Sequence, residues 1–253
     1  MLGAIIGDIV GSRFEFSNTG QYDFELFTPA SDFTDDTICT IAVADAIGKK
    51  KSYKDSLVEW CRCYPHPKGA YGTSFNRWIY NPVPYGSYGN GAAMRVSPVA
   101  WAFGDIAAVR QEAAKTALVS HDHPEGVKGA VTIAESIFLL RQGVKKECIQ
   151  HLLESAYGKD YRKRMPKQGV FDETCQGCVP LSIHLFLQST CFEDAVRRAV
   201  SYGGDTDTIG AIVGSLAEAH YPIPEWIQER ALNYLPAEML EVVKHPINNY
   251  TIS

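Results

Sequence analysis

Ser201-Tyr-Gly-Gly-Asp-Thr-Asp-Thr-Ile-Gly210 leads into an apolar run that ends at Ala219. The paired glycines allow a sharp backbone turn, and the acidic and hydroxyl residues stand where a helix begins. Asp205, Asp207 and Thr208 offer the hard oxygen ligands that Mg²⁺ or Mn²⁺ takes. Helix capping accounts for the same residues equally well. A second stretch shifts that balance. Thr34-Asp35-Asp36-Thr37 has the same makeup and is likewise followed by Ile and a helical run, Ile38 to Ile47. If the two helix starts meet in space, four Asp share one place, and their repulsion calls for a divalent cation or two. The metal reading needs both clusters and requires that they touch.

Outward from these clusters the chain reads as helical. Leu2 to Val10 is a buried helix, with Gly3, Gly7 and Gly11 permitting close packing. Gly3-Ala-Ile-Ile-Gly-Asp-Ile-Val-Gly-Ser12 is echoed by Gly210-Ala-Ile-Val-Gly-Ser215, which predicts two similarly packed helices. Further helical runs are Tyr53 to Trp60, Ser74 to Tyr80, Ala92 to Phe103, Asp105 to Val119, Val127 to Leu140 and Lys145 to Tyr157. Val179 to Leu187, Phe192 to Val200, Ala211 to His220, Glu225 to Tyr234 and Ala237 to Lys244 complete the set. Almost nothing alternates with period two. The expected fold is all-α, a single-domain orthogonal helical bundle with long loops spanning 1–253.

Composition bounds the function. A chain of 253 residues, 45% hydrophobic and 21% charged, has the makeup of a soluble globular protein. Its net charge of -5 argues against a dedicated nucleic-acid surface, and the basic Arg162-Lys163-Arg164 reads as a solvated loop. No run is long enough to span a bilayer. The apolar start carries no positive flank and is interrupted by Asp8, so it is not a signal peptide. Seven cysteines, an odd number without framework spacing, point to a reducing cytoplasm. Cys61, Cys63, Cys175 and Cys178 make a weak zinc motif; free thiols are the preferred reading.

Three other places carry polar groups of interest. Glu15 lies between Phe14 and Phe16, either on a surface turn or in a partly dry site. Tyr85-Gly-Ser-Tyr-Gly-Asn-Gly-Ala-Ala-Met-Arg95 is glycine-rich; it is either a plain turn or a loop whose N–H groups cradle an anion, with Tyr85 and Tyr88 to stack on a base. His121 and His123 flank Asp122 in a turn between helices, and His121 reads as a hydrogen-bond partner for a ligand phosphate or sugar.

Taken together, the sequence resembles the ADP-ribosylglycohydrolase family along nearly its whole length. The resemblance rests on the opening Gly-Asp-x-x-Gly-Ser with Phe-Glu-Phe, on Thr34-Asp35-Asp36-Thr37, on Gly89-Asn-Gly-Ala-Ala-Met-Arg95, on Ser120-His121 and on Gly203-Gly-Asp-Thr-Asp-Thr208. Five motifs in the same order are specific where one is not. The resemblance implies an all-α fold with a centre of two Mg²⁺ or Mn²⁺. Thr34, Asp35 and Asp36 would bind one side of it, and Asp205, Asp207 and Thr208 the other. Glu15 matches a mobile-loop glutamate active in proton transfer, so that Glu15, Asp36 and Asp207 become the catalytic candidates. Asn90, Gly91, Ala92 and Met94, with His121, Gly203 and Gly204, become the substrate-binding ones.

The implied activity is removal of ADP-ribose by cleavage of the glycosidic bond at the distal ribose. The expected partner is an ADP-ribosylated protein, with arginine as the linked side chain, because arginine-directed members are prominent in the family. Serine, nucleic-acid and acetyl linkages are the alternatives, and the expected working form is a monomer. Two rival functions stand beside it. Asp205-Thr-Asp-Thr208 resembles a phosphohydrolase motif, but that motif follows a buried strand, which nothing here predicts. A non-catalytic ADP-ribose binder on the same fold is opposed by the presence of every matched metal residue and of Glu15.

Overall fold

The computed structural model describes residues 1–244; the end of the expected unit, 245–253, lies outside the described residues. In order, the helices are α1 (Leu2–Gly11), α2 (Asp35–Lys49), α3 (Tyr53–Cys63), α4 (Thr73–Tyr80), α5 (Gly91–Met94), α6 (Ser97–Ala102) and α7 (Ile106–Leu118). They continue with α8 (Pro124–Arg141), α9 (Lys146–Tyr157), α10 (Cys175–Gln188), α11 (Phe192–Tyr202), α12 (Thr206–His220), α13 (Glu225–Leu232) and α14 (Ala237–Lys244). Among the described residues there is no strand, only the isolated bridges Thr34–Lys68 and Gly89–Thr174. The all-α expectation holds.

The centre of the bundle is the pairing of α1 with α12. Both are buried along almost their whole lengths. They approach closely enough that backbone meets backbone. A Cβ on Gly7 would lie 1.9 Å from the Gly210 carbonyl oxygen, and one on Gly3 2.2 Å from that of Gly214. The four-residue spacing of glycine on each helix puts all four on one face, so the helices meet without side chains between them. The sequence echo is thus an approximate self-complementarity: each copy of the repeat packs on the other.

This close pairing fixes where the chain enters α12. Gly203 and Gly204, at φ of +80° and +89°, make the turn out of α11 that delivers Asp205 to the head of α12. Thr206 Oγ1 donates 2.9 Å to the Gly11 carbonyl and ties that head to the end of α1. Helix α2 begins beside the same place because Asp8, in the middle of α1, accepts from its first turn. Thr34 N at 3.0 Å, Thr34 Oγ1 at 2.8 Å and Thr37 N at 3.1 Å all donate to the Asp8 carboxylate, as does Thr37 Oγ1. A carboxylate inside an apolar helix needs such partners to be buried, and these four provide them.

Two departures from the expected helices bear on the site. The run Ala92 to Phe103 is broken into α5 and α6, because Pro98 starts a new helix and Arg95, at the break, turns its side chain fully inward. Helix α10 begins at Cys175 rather than Val179. Gly177 and Pro180 look like breakers, yet Thr174 caps the helix by accepting from Gly177 N at 3.2 Å, and the proline is carried within it.

Candidate active site

The two acidic clusters meet. Thr208 Oγ1, on the first turn of α12, donates 3.1 Å to Asp36 Oδ2 on the first turn of α2. Asn90, at the head of α5, donates through Nδ2 to Asp205 Oδ2 at 2.6 Å. Three stretches far apart in sequence therefore converge at one point, as the paired-cluster reading requires. Above them opens a cavity of about 710 Å³. Its floor is Asp35, Asp36, Asp205, Asp207 and Thr208, and Glu15 stands at the edge.

The walls come from three loops. Residues 69–72 press on Glu15 so tightly that a Cβ on Gly69, at φ +79°, would lie 2.5 Å from Glu15 Oε2. The 85–91 loop is pinned from both sides. Gly86 N donates 2.6 Å to Asp122 Oδ1, Asn90 N donates 2.7 Å to the Glu173 carbonyl, and Cys175 N donates 2.9 Å to the Tyr88 carbonyl. The 169–174 loop runs over Gly204 and brings Phe171 to the rim, where its ring stacks on the exposed Phe16 at 6.2 Å.

The floor crowds several carboxylates into one buried place. Burial, and then the other carboxylates, push Asp36 and Asp207 well above the ordinary carboxylate range; Asp35 follows with the neighbouring Cys39 thiol as a further cause. Asp205 is raised chiefly by burial, while Asp207 and Asn90 bond to its charged form and pull it back. Burial, then Asp205 and Asp8, raise Glu15 to about 7, and burial raises Asp8 to about 6 against the four donors that favour its ionised form.

Whether a metal fits can be judged from unpaired oxygens. Asp36 Oδ1, Asp207 Oδ1 and Glu15 Oε2 are buried and have no hydrogen-bond partner among the described residues. Carboxylate oxygens of Glu15, Asp205 and Asp207 all lie within 4.8 Å of one another, and no other such trio is found among the described residues. Unpaired buried carboxylate oxygens facing one another are costly, and a hard divalent cation is the species that relieves them. The donor set is all oxygen, which suits Mg²⁺ or Mn²⁺ rather than a thiophilic ion. The zinc motif does not assemble. Cys61 Sγ lies 3.9 Å from Cys39 Sγ, Cys175 bonds the Gly89 carbonyl, Cys178 lies against Ser182, and Cys63 is exposed.

Of the residues singled out in the sequence, Glu15, Asp35, Asp36, Asn90, Gly91, Met94, His121, Asp205, Asp207 and Thr208 all line the cavity. Thr34, Ala92, Gly203 and Gly204 do not. Thr34 is fully buried as the cap of α2, its hydroxyl donating to Asp8 and accepting from Asp36 N at 3.2 Å. Gly204 N donates 2.7 Å to Asn18 Oδ1, beneath the 169–174 loop. Asp8 was missed as a site residue, although it organises the α2 half of the floor. The signal was there: a single carboxylate in the middle of an otherwise apolar helix.

The fold and cleft define an all-helical protein with a carboxylate-floored pocket at the heads of two helices. The ADP-ribosylglycohydrolase family model matches residues 1–248. ADP-ribosylhydrolase ARH3 of Mus musculus is 26% identical, covering 98% of this chain and 90% of its own. The ADP-ribosyl-(dinitrogen reductase) glycohydrolase of Rhodospirillum rubrum is 24% identical over 88% of this chain and 85% of its own. A solved ADP-ribosylglycohydrolase-related protein complex shares the fold with a TM-score of 0.74 at 24% identity, covering 95% of this chain and 94% of that one. The chain belongs to the ADP-ribosylglycohydrolase family, whose members are hydrolases that remove ADP-ribose. No helix of the described residues is long and apolar enough to cross a membrane.

Proposed function

We propose that the protein is a divalent-cation-dependent hydrolase that cleaves the glycosidic bond between the distal ribose of ADP-ribose and a modified protein side chain. The observation that carries this reading is the contact between Thr208 and Asp36, which joins the two acidic clusters around unpaired buried oxygens. Asp35, Asp36 and Thr34 on one side, and Asp205, Asp207 and Thr208 on the other, are the proposed holders of two Mg²⁺ or Mn²⁺. The geometry favours Asp205 and Asp207, whose oxygens converge with one of Glu15, and Asp36, whose buried Oδ1 has no partner among the described residues, over Thr34, whose hydroxyl serves Asp8. When bound, such ions supply the positive charge that holds vicinal ribose hydroxyls and makes water acidic enough to attack at neutral pH.

The chain's own residues do the rest. Asn90, held by the Glu173 carbonyl through its backbone, fixes Asp205 and so aligns the 85–91 wall with the floor. The 85–91 loop with His121 takes the diphosphate and distal ribose. Glu15 is the proposed base. It stands at the open edge, half-buried, with one oxygen unpartnered, and can accept the proton of a water that attacks the anomeric carbon. The bond to the side chain breaks through an oxocarbenium-like transition state, stabilised by the carboxylates beneath. Arginine is the proposed linkage. Glu15 and the exposed Glu173 at a rim formed by Phe16 and Phe171 favour a planar cation over a neutral hydroxyl as the group that leaves.

The cysteines of the described residues are free thiols, which supports a cytoplasmic setting. Calorimetric titration with ADP-ribose tests the proposal. Binding that strengthens when Mg²⁺ or Mn²⁺ replaces chelator supports it, and absence of binding in every condition contradicts it.

A further inference from the structure

Arg95 is the one large charged side chain of the described core that is fully buried, and it forms no ion pair among the described residues. Its Nη2 donates 2.9 Å to the Thr116 carbonyl and 2.9 Å to Ser120 Oγ. Ser120 Oγ in turn lies 2.8 Å from His121 Nδ1. A guanidinium can only donate, so Ser120 must accept from it. The hydroxyl has one hydrogen, and among the described residues its only other partner is His121 Nδ1. With that hydrogen given to Nδ1, the ring carries its own hydrogen on Nε2.

The ring cannot easily turn to present anything else. It is held between Phe75 at 6.1 Å and Tyr85 at 5.9 Å, centroid to centroid. Its Nε2 edge faces Gly91, where a Cβ would come within 2.8 Å of Nε2, and His121 lines the cavity. The side chain is buried beside the Arg95 charge, and both facts disfavour the imidazolium.

We propose that Arg95 and Ser120 are positioning residues that lock His121 as the Nε2–H tautomer, so that it offers a neutral hydrogen-bond donor to an oxygen of the ligand in the cavity. The reading of that ligand as ADP-ribose rests on the proposed function; the locking itself does not. Arg95 also lines the cavity, with Nε and Nη1 unpartnered among the described residues, while its Nη2 acts through Ser120.

The experiment is a long-range ¹H–¹⁵N correlation spectrum of the protein labelled at histidine nitrogen, in Mg²⁺ at neutral pH, with the His121 signals assigned by their loss in His121→Asn. The expected result is a pyrrole-type Nε2 and a pyridine-type Nδ1. A protonated Nδ1, whether as the other tautomer or as imidazolium, overturns the proposal. Ser120→Ala, checked for folding by circular dichroism, is expected to move the ring off this single tautomer and to weaken ADP-ribose binding about five- to tenfold, the worth of one hydrogen bond. A ring in Ser120→Ala as fully Nε2–H as in the parent overturns the positioning claim. If Ser120→Ala does not fold, the parent spectrum decides alone. If the parent binds no ADP-ribose, the functional reading fails while the ring signature still decides the tautomer.

Discussion

Gly7→Ala tests whether the contact between α1 and α12 sets the site. On an exposed helix this change stabilises by about 1 kcal/mol, because alanine orders more easily than glycine. At Gly7 the added Cβ would meet the Gly210 carbonyl oxygen at 1.9 Å and its carbon at 2.3 Å, whereas ordinary contact begins at 3.4 Å. The helices must therefore part by roughly 1.5 Å, and the atoms in the way are backbone, which no rotamer change relieves. Overpacking of this kind costs about 1–3 kcal/mol. A clash with backbone at 1.9 Å belongs at the upper end of that range, so with the helix preference of about 1 kcal/mol subtracted a net loss of about 2 kcal/mol remains, or roughly 4–8 °C in melting temperature for a chain of this size. Activity should fall further than stability, since α1 carries Asp8 and the head of α12 carries Asp205 and Asp207. Thermal unfolding by far-ultraviolet circular dichroism is the assay, with Gly104→Ala as control. That glycine is exposed and a Cβ there meets nothing within 4 Å. Gly7→Ala melting at or above the parent would refute the close-packing argument.

Other outcomes follow from the floor of the cavity. Asp36→Ala and Asp207→Ala should each remain folded yet lose the heat of Mg²⁺ or Mn²⁺ binding and nearly all turnover; near-normal rates at limiting Mg²⁺ in either would remove the two-cluster site. Glu15→Gln should bind ADP-ribose about as well as the parent while its turnover falls by roughly 10²-fold or more, the usual range for a lost general base; unchanged turnover would take Glu15 out of the chemistry. In chelator, stability should decline as pH rises from about 5 to about 8. Asp8, at about 6, and Glu15, at about 7, lie above their unfolded values of 3.8 and 4.5, so the native state holds more protons than the unfolded one across this window. A denaturation midpoint that rises over that window instead would contradict the crowded-carboxylate picture.

Much of this was legible because helix starts announce themselves. Asp and Thr before an apolar run mark a head of a helix, and two such heads of one composition suggested a shared purpose. The glycine echo was legible for the same reason, since a four-residue spacing of small residues means close approach along one face. Asp8 was not read as part of the site. Its role depends on which distant N–H groups reach it, and sequence spacing does not say that Thr34 and Thr37 will. The 69–72 and 169–174 walls were hidden likewise, unlike the glycine-rich 85–91 loop. Gly69, Phe171 and Glu173 sit in loops whose course is set by pairings such as Asn90 to Glu173, and loops lack the periodicity that places helices. The early start of α10 was masked by local breakers that a Thr174 cap and tertiary packing override.

The most direct test of the central claim is release of ADP-ribose from matched peptides carrying it on arginine or on serine, assayed in Mg²⁺, in Mn²⁺ and in chelator. The account predicts release from the arginine-linked peptide that depends on the divalent cation. Release that persists undiminished in chelator, or no release from any ADP-ribosylated peptide by protein that still binds ADP-ribose, would contradict it.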